Sequence, residues 1–395
     1  MPTEELVKLV TELVRRPSCW DNAEDQRKLG EYVSSWFENY GMNVEVDELG
    51  NVVVNPGASV VMNGHLDVVP PAGEADYHPK IRGDKIVGRG TADMKGGVGV
   101  AMEIMKAFYK QYNELGAVFQ VTEESEYEKS GADILCERGV FDDAKFIVEA
   151  EPSGELTTGK PSVLVGSEGG LDWSTEITTD ESSYHAAYLH QANNAILAAT
   201  HYIEDLINDT SLTIPTDEFK RSYNPKGLRT GKGPINVAKI EGGTQPTWTP
   251  NRCEVEFEKR LFPSERWMTF HEQLREYSNR TGRAVNANIG VKVLWHADPF
   301  MLDPTSDGYR FIANWAKGQN LELSISNGAS DLNKIYNYLK TKGRNVIGVH
   351  FGPGFLDLAH RSDEFTLISG LEKFYGYYRG LLRELFDGEG KSLLQ

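Results

Sequence analysis

Apolar stretches of strand length that stop at a histidine or an acidic residue recur along this chain, with helical stretches between them. Ser59–Met62 runs into Asn63-Gly64-His65-Leu66-Asp67, and Ala117–Val121 runs into Thr122-Glu123-Glu124. Lys145–Val148 leads to Glu149-Ala150-Glu151, and Val346–His350 leads to Phe351-Gly352-Pro353-Gly354, with Ala359-His360-Arg361 close behind. Runs this apolar predict strands buried in a sheet. Helical periodicity fills the intervals. Leu6, Leu9, Val10, Leu13 and Val14 form one stripe, with Thr3 as its N-cap and Pro17 as its stop. Leu29, Val33, Trp36, Phe37 and Tyr40 form a second, with Gly41 at the C-cap place, and Val98–Tyr112 is a third helix. Helices alternating with apolar strands predict an α/β sheet domain. In such sheets ligands bind beyond the carboxyl ends of the strands, where these histidines and acids stand.

The texture changes after about residue 167. Leu171–Thr178 alternates apolar and polar residues, as a half-exposed antiparallel strand does. A helix at Asn193–Ile207, strands near Asn236–Ile240 and Arg252–Arg260, a helix at Glu265–Thr281 and a strand at Val285–Leu294 follow. Strand-helix-strand-strand-helix-strand is the split βαβ pattern of a ferredoxin-like layer. Helices at Asp307–Lys317, Asp331–Leu339 and Phe365–Phe386, with a strand at Asn345–His350, then restore the first texture. An α+β domain at 168–296 is therefore expected inside an α/β domain made of 1–167 and 297–395.

A hydrophobic fraction of 39% in 395 residues supplies cores for two domains. No run approaches the roughly 18 apolar residues of a membrane span, and Met1–Glu5 lacks the basic and apolar regions of a signal peptide. Three scattered cysteines, Cys19, Cys136 and Cys253, form neither a disulfide framework nor a zinc ribbon. A cytoplasmic protein is the expectation. A net charge of −17 argues against nucleic acid and anionic membranes as partners.

His65 and Asp67 lie two apart, so an extended backbone projects both to one side. A carboxylate so placed suits the holding of a histidine's second ring nitrogen, although a structural pair reads the same way. Gly88-Arg89-Gly90-Thr91-Ala92-Asp93-Met94-Lys95-Gly96-Gly97 has the glycines of a phosphate cradle but lacks the spacing of a phosphate loop, so a tight turn aiming Asp93 is the preferred of the two readings. Glu123 and Glu124 read equally as a solvated turn or as two carboxylates with different tasks, one binding a cation and one acting as base. Taken together, the set is mixed nitrogen and oxygen, which suits zinc, cobalt or manganese. Two such ions sharing a carboxylate polarise a carbonyl and acidify water.

In order along the chain, HLDVVP, GRGTADMKGG, TEES, EAEP, and GPG with AHRSDEF resemble the co-catalytic zinc metallopeptidase and deacylase family. Acetylornithine deacetylase, succinyl-diaminopimelate desuccinylase and glutamate carboxypeptidase are of this type. The resemblance spans nearly the whole chain. It implies a catalytic domain of the zinc aminopeptidase-like type carrying an inserted lid and dimerisation domain. It assigns His65, Asp93 and Glu151 to one metal, and Asp93, Glu124 and His360 to the other. Glu123 becomes the general base, Asp67 the orienter of His65, and the Asp93–Met94 peptide cis. His185, in Ser183-Tyr184-His185, becomes the oxyanion stabiliser. Arg260, Asn194 and His350 are candidate substrate contacts, Arg260 for a carboxylate and His350 facing either substrate or the ligands. The chain departs from the family at Glu181 and Thr247, both in the lid.

The expected activity is hydrolysis of an amide in an N-acyl amino acid or small peptide, using two divalent ions, zinc by resemblance with cobalt or manganese as alternatives, in a homodimer formed through the lid. A dipeptidase or aminopeptidase on the same centre is the nearest rival. A non-catalytic binding protein keeping the fold is a second, disfavoured because Glu123 and all five ligands are present.

Overall fold

The computed structural model describes residues 3–125, 129–156, 159–179, 183–215, 218 and 231–395. Glu181 lies outside them. Two compact units emerge: Met1–Gly166 with Met301–Ser326 and Ser330–Gln395, and Ser167–Phe300 with Asn327–Ala329.

The first unit opens with α1 (Thr3–Val14), α2 (Ala23–Glu38), β1 (Val44–Val46), β2 (Val52–Val54) and β3 (Val60–His65). A hairpin of β4 (Lys80–Arg82) and β5 (Lys85–Val87) precedes α3 (Lys95–Phe108), β6 (Leu115–Gln120) and α4 (Gly131–Glu137). β7 (Phe146–Glu155) and β8 (Lys160–Ser167) complete this stretch. The second unit holds β9 (Gly169–Thr178), β10 (Tyr184–His185), α5 (Ala195–Asn208), β11 (Ile235–Gly242) and β12 (Trp248–Thr249). β13 (Arg252–Leu261), α6 (Trp267–Val285) and β14 (Asn288–Ala297) follow. The chain returns through β15 (Phe300–Met301), α7 (Asp307–Gly318), β16 (Glu322–Ser326) and α8 (Asp331–Thr341). β17 (Ile347–Phe355), β18 (Phe365–Leu367) and α9 (Ile368–Phe386) end it.

The large sheet runs β1-β2-β6-β3-β7-β17-β8-β15, with β16 beside β8. Its centre, β6-β3-β7-β17, is parallel, and β1 and β2 close one edge antiparallel. Every residue of β3 and β6 is buried, because helices pack on both faces. Phe37 of α2 and Phe119 of β6 stack with centroids 6.0 Å apart; burial of each such ring contributes about 1.5–3 kcal/mol. Helix α3 approaches the sheet closely, and a Cβ at Gly97 would lie 2.1 Å from the Ala150 carbonyl oxygen of β7. At its far side the unit closes on itself where Leu302 N donates to Val165 O at 2.9 Å.

Three local expectations change. Thr3 does not cap α1: it is the helix's first residue, and its hydroxyl donates to Glu372. The helix expected from Phe365 starts at Ile368, because Phe365–Leu367 pairs as an edge strand with Val87–Lys85. β7 does not stop at Val148 but carries Glu149 and Glu151 as strand residues.

In the second unit the sheet order is β11-β13-β9-β14, with every pairing antiparallel. That is the strand order a split βαβ layer takes. Trp173 and Ile177 of β9 and Phe257 of β13 share one core with Tyr202 and Leu206 of α5 and with Phe270 and Leu274 of α6. The alternate β13 residues Glu254, Glu256 and Glu258 are not part of this core. Among the described residues no helix is long and apolar enough to cross a membrane.

Candidate metal centre

The parallel strands of the first unit deliver their carboxyl ends to one place. His65 is the last residue of β3 and 1% exposed. Its Nδ1 lies 3.0 Å from the backbone carbonyl of Asp67 and 3.7 Å from that residue's carboxylate. The carboxylate of Asp67 accepts instead from the amides of Glu123 (3.2 Å) and Glu124 (3.0 Å). Asp67 thus holds His65 mainly through its main chain, and its side chain shapes the turn after β6. Thr122, at the start of that turn, has φ 63°.

His65 Nε2 faces Asp93 Oδ1 at 3.1 Å and Glu151 Oε1 at 3.3 Å. Asp93 turns its other oxygen, Oδ2, to His360 Nε2 at 3.5 Å, and Glu124 Oε2 meets the same nitrogen at 3.0 Å. The Asp93–Met94 peptide is cis. The potential ligand atoms of His65, Asp93 and Glu151 lie within 4.8 Å of one another, and so do those of Asp93, Glu124 and His360. His65, Glu123 and Glu124 satisfy the same limit. The expected ligands and the expected base are therefore brought together in one unit.

Charge is unevenly shared in this cluster. Burial lifts Glu123 well above the ordinary glutamate range, against the pull of His65 and with the charge of Glu124 adding to it. Burial and the charge of Asp93 raise Glu151 to about 7. Asp93 goes the other way: its hydrogen bonds to His360 and His65 overcome burial and hold it low. His360 is pushed up to about 10 by Asp93 and Glu124. Four carboxylates crowded on two imidazoles in a largely buried pocket is a donor set for hard or borderline divalent cations, whose charge offsets the mutual repulsion. The residues present fit two such ions sharing Asp93.

His350 is not at the surface of this site. It is 2% exposed and stands beside Ser330 Oγ (3.1 Å) and Glu149 Oε2 (3.3 Å), so it cannot face substrate directly. Burial takes its pKa down to about 3. Glu149 links it to the ligand strands. Its Oε1 accepts from Asn63 Nδ2 at 3.0 Å, and Ser330 Oγ donates to Oε2 at 2.5 Å. Asn63 and Glu149 are ladder partners of β3 and β7. Each stands two residues before a candidate ligand, His65 or Glu151, and that period of two was the available sequence signal for both.

The remaining candidates belong to the second unit. His185 is exposed on β10, and its Nδ1 accepts from Ala187 N at 3.1 Å. Asn194 caps α5, accepting from Ile196 N (2.9 Å) and Leu197 N (3.2 Å). Arg260 pairs with Glu258 at 2.7 Å and donates to Asn327 O at 3.2 Å. Thr247 O accepts from Ala186 N at 2.8 Å, which ties the β10 segment down.

Residues 61–384 match the model of peptidase family M20/M25/M40. The chain is 27% identical to the succinyl-diaminopimelate desuccinylase of Hydrogenovibrio crunogenus, over 96% of this chain and 99% of that one. Among solved structures it resembles a tripeptidase from Staphylococcus aureus with a TM-score of 0.73 at 21% identity, covering 96% and 97% of the two chains. A dinuclear metal-binding M20 peptidase from Bacillus subtilis gives a TM-score of 0.68 at 14% identity, covering 98% and 99%. A family match across most of the chain, with a buried histidine–carboxylate cluster at its strand ends, makes this protein a member of peptidase family M20/M25/M40 and a metal-dependent hydrolase.

Proposed function

We propose that the protein hydrolyses the amide bond of an N-acyl amino acid or short peptide at a two-metal centre. His65, Asp93 and Glu151 hold one cation, and Asp93, Glu124 and His360 hold the other, zinc being the metal this nitrogen and oxygen set suits, with cobalt or manganese as substitutes. The observation that carries this reading is Asp93, whose two carboxylate oxygens face two different histidines at 3.1 and 3.5 Å. When bound, the ions polarise the scissile carbonyl and make water acidic enough to attack near neutral pH.

Glu123 takes a proton from the attacking water as the oxygen–carbon bond forms, then delivers it to the amine as the carbon–nitrogen bond breaks. Its burial and its lack of a histidine hydrogen bond suit a base rather than a ligand. Asp67 fixes the turn on which Glu123 stands. By the resemblance to the family, His185 is the candidate donor to the developing oxyanion, and Arg260 and Asn194 are the candidate substrate contacts. His350 acts from below, through Glu149 and Ser330.

The named activity of the Hydrogenovibrio relative makes a succinylated amine the first substrate to try. Succinyl, acetyl and glutamyl amides should be screened against free dipeptides with zinc- and cobalt-loaded protein. Cleavage of free dipeptides with acylated ones untouched would assign the centre to a dipeptidase instead. Glu123→Ala should keep both ions and lose most turnover; near-normal turnover with both ions bound would refute the base assignment. Self-association through the inserted unit is also proposed, as the resemblance to the family implies. A monomer mass by light scattering would end that part. The buried, unpaired thiols fit the reducing cytoplasm.

A further inference from the structure

Arg89 and Glu364 stand outside the ligand set, yet both touch the segments that carry it. They are 4% and 2% exposed and form an ion pair, Nη1 to Oε2, of 2.7 Å. Glu364 spends its remaining acceptor capacity on the loop of Asp93. Oε2 accepts from Gly90 N at 2.9 Å, and Oε1 accepts from Ala92 N at 2.8 Å and from Asp93 N at 3.1 Å. Arg89 reaches the opposite way, with Nη2 donating to the carbonyl of His360 at 3.3 Å. His360 has φ 64°, a left-handed conformation that a histidine keeps only where its surroundings fix it.

The grip is reciprocal. A carboxylate from the segment after His360 holds the backbone of Asp93, and a guanidinium from the segment before Asp93 holds the backbone of His360. Burial keeps both side chains away from any substrate, so their effect must pass through the residues they hold. A guanidinium fork can serve a carboxylate and a carbonyl together, which explains arginine at this position.

The geometry points to Arg89 and Glu364 as positioning residues that set the placement of Asp93 against His360. This rests on the proposed two-metal reading, in which that pair shares the second cation. A purely structural ion pair would support the fold without favouring one cation position over the other.

The test is titration of metal-stripped protein with Zn2+ against a chromophoric chelator, with melting of the metal-free protein recorded alongside. Arg89→Lys keeps the charge opposite Glu364 but loses the fork. It should weaken one Zn2+ position by about 10- to 100-fold, the range for groups that orient ligands by hydrogen bonds. In a His360→Ala background, where the His65 position alone remains, Arg89→Lys should change the affinity no further. Glu364→Gln cannot accept from all four donors, and because it holds Asp93 it should weaken both positions.

Unchanged affinities in Arg89→Lys would overturn the inference, even with a lower melting temperature. So would equal weakening of the His65 position. Should Glu364→Gln fail to fold, the two Arg89→Lys measurements decide alone. Wild-type protein that takes up no Zn2+ would overturn the metal reading as well. Two bound ions with an insensitive Arg89→Lys would overturn only the positioning role.

Discussion

Glu123 and Glu124 are adjacent and both lie near His65, but Glu124 is the one that also meets His360. Glu124 reaches His360 Nε2 at 3.0 Å, so Glu124→Gln should cost one cation's affinity, read as a drop toward one tightly bound ion per chain. Glu123→Gln should instead leave both ions and lower kcat by about 10²–10⁴, the range for a removed general base. His350 makes a separate, measurable contribution. Its folded pKa of about 3 lies below the ordinary value of 6.5, so the unfolded chain binds the proton more readily. Its stabilising contribution is complete above about pH 6.5 and falls as pH drops toward 3, by roughly 1.4 kcal/mol per pH unit. Denaturant melts at several pH values should show a shallower acid loss in His350→Gln than in wild type. The candidate ligands His65, Glu124 and Glu151 were readable as residues because each ends or follows an apolar run of strand length, whereas Asp93 and His360 stand in turns and took their roles from the resemblance. His350 was read as a candidate substrate contact, and its burial beside Glu149 and Ser330 was not legible, since sequence distance from Gly352 and Gly354 does not reveal which side of a strand is covered.

At the scale of elements, Gly97 shows why the glycines before Val98 are needed. Gly97→Ala would drive a methyl group to 2.1 Å from Ala150 O. Helix α3 must then lift from β7, the strand that carries Glu151. A loss of about 1–3 kcal/mol is expected from such overpacking, read by denaturant melts, together with weaker Zn2+ binding. The order of strands in the split βαβ layer was legible, because alternation and helix periodicity there agree. β7 was harder to read. Glu149 and Glu151 look like turn residues in a string of letters, but the strand continues because Asn63, Ser330 and His65 satisfy them. Phe365–Leu367 was read as helix for a related reason: three apolar-rich residues fit either period, and the partner strand Lys85–Val87 decides.

For the whole molecule, cations that bind only the folded state add stability by mass action, about 2.7 kcal/mol at a hundredfold excess over Kd. Calorimetry with and without a chelator should show the transition of the first unit moving and that of the second staying. The second unit has its own core around Trp173, Tyr202 and Phe257 and contains none of the proposed ligands. A single transition that moves as one would instead mean the two units unfold together. The hydrogen bond from Leu302 N to Val165 O brings the point where the chain leaves the first unit next to the point where it returns. To the catalytic unit, residues 167–300 are therefore one long loop with adjoining ends. Loop-closure cost rises only logarithmically with length, about 0.6 kcal/mol per doubling, so the unit tolerates passengers of very different size there. The inserted layer can accordingly be resized or exchanged as evolution reshapes what the enzyme admits, while the strands that carry His65 and Glu151 and the loop that carries His360 keep their places.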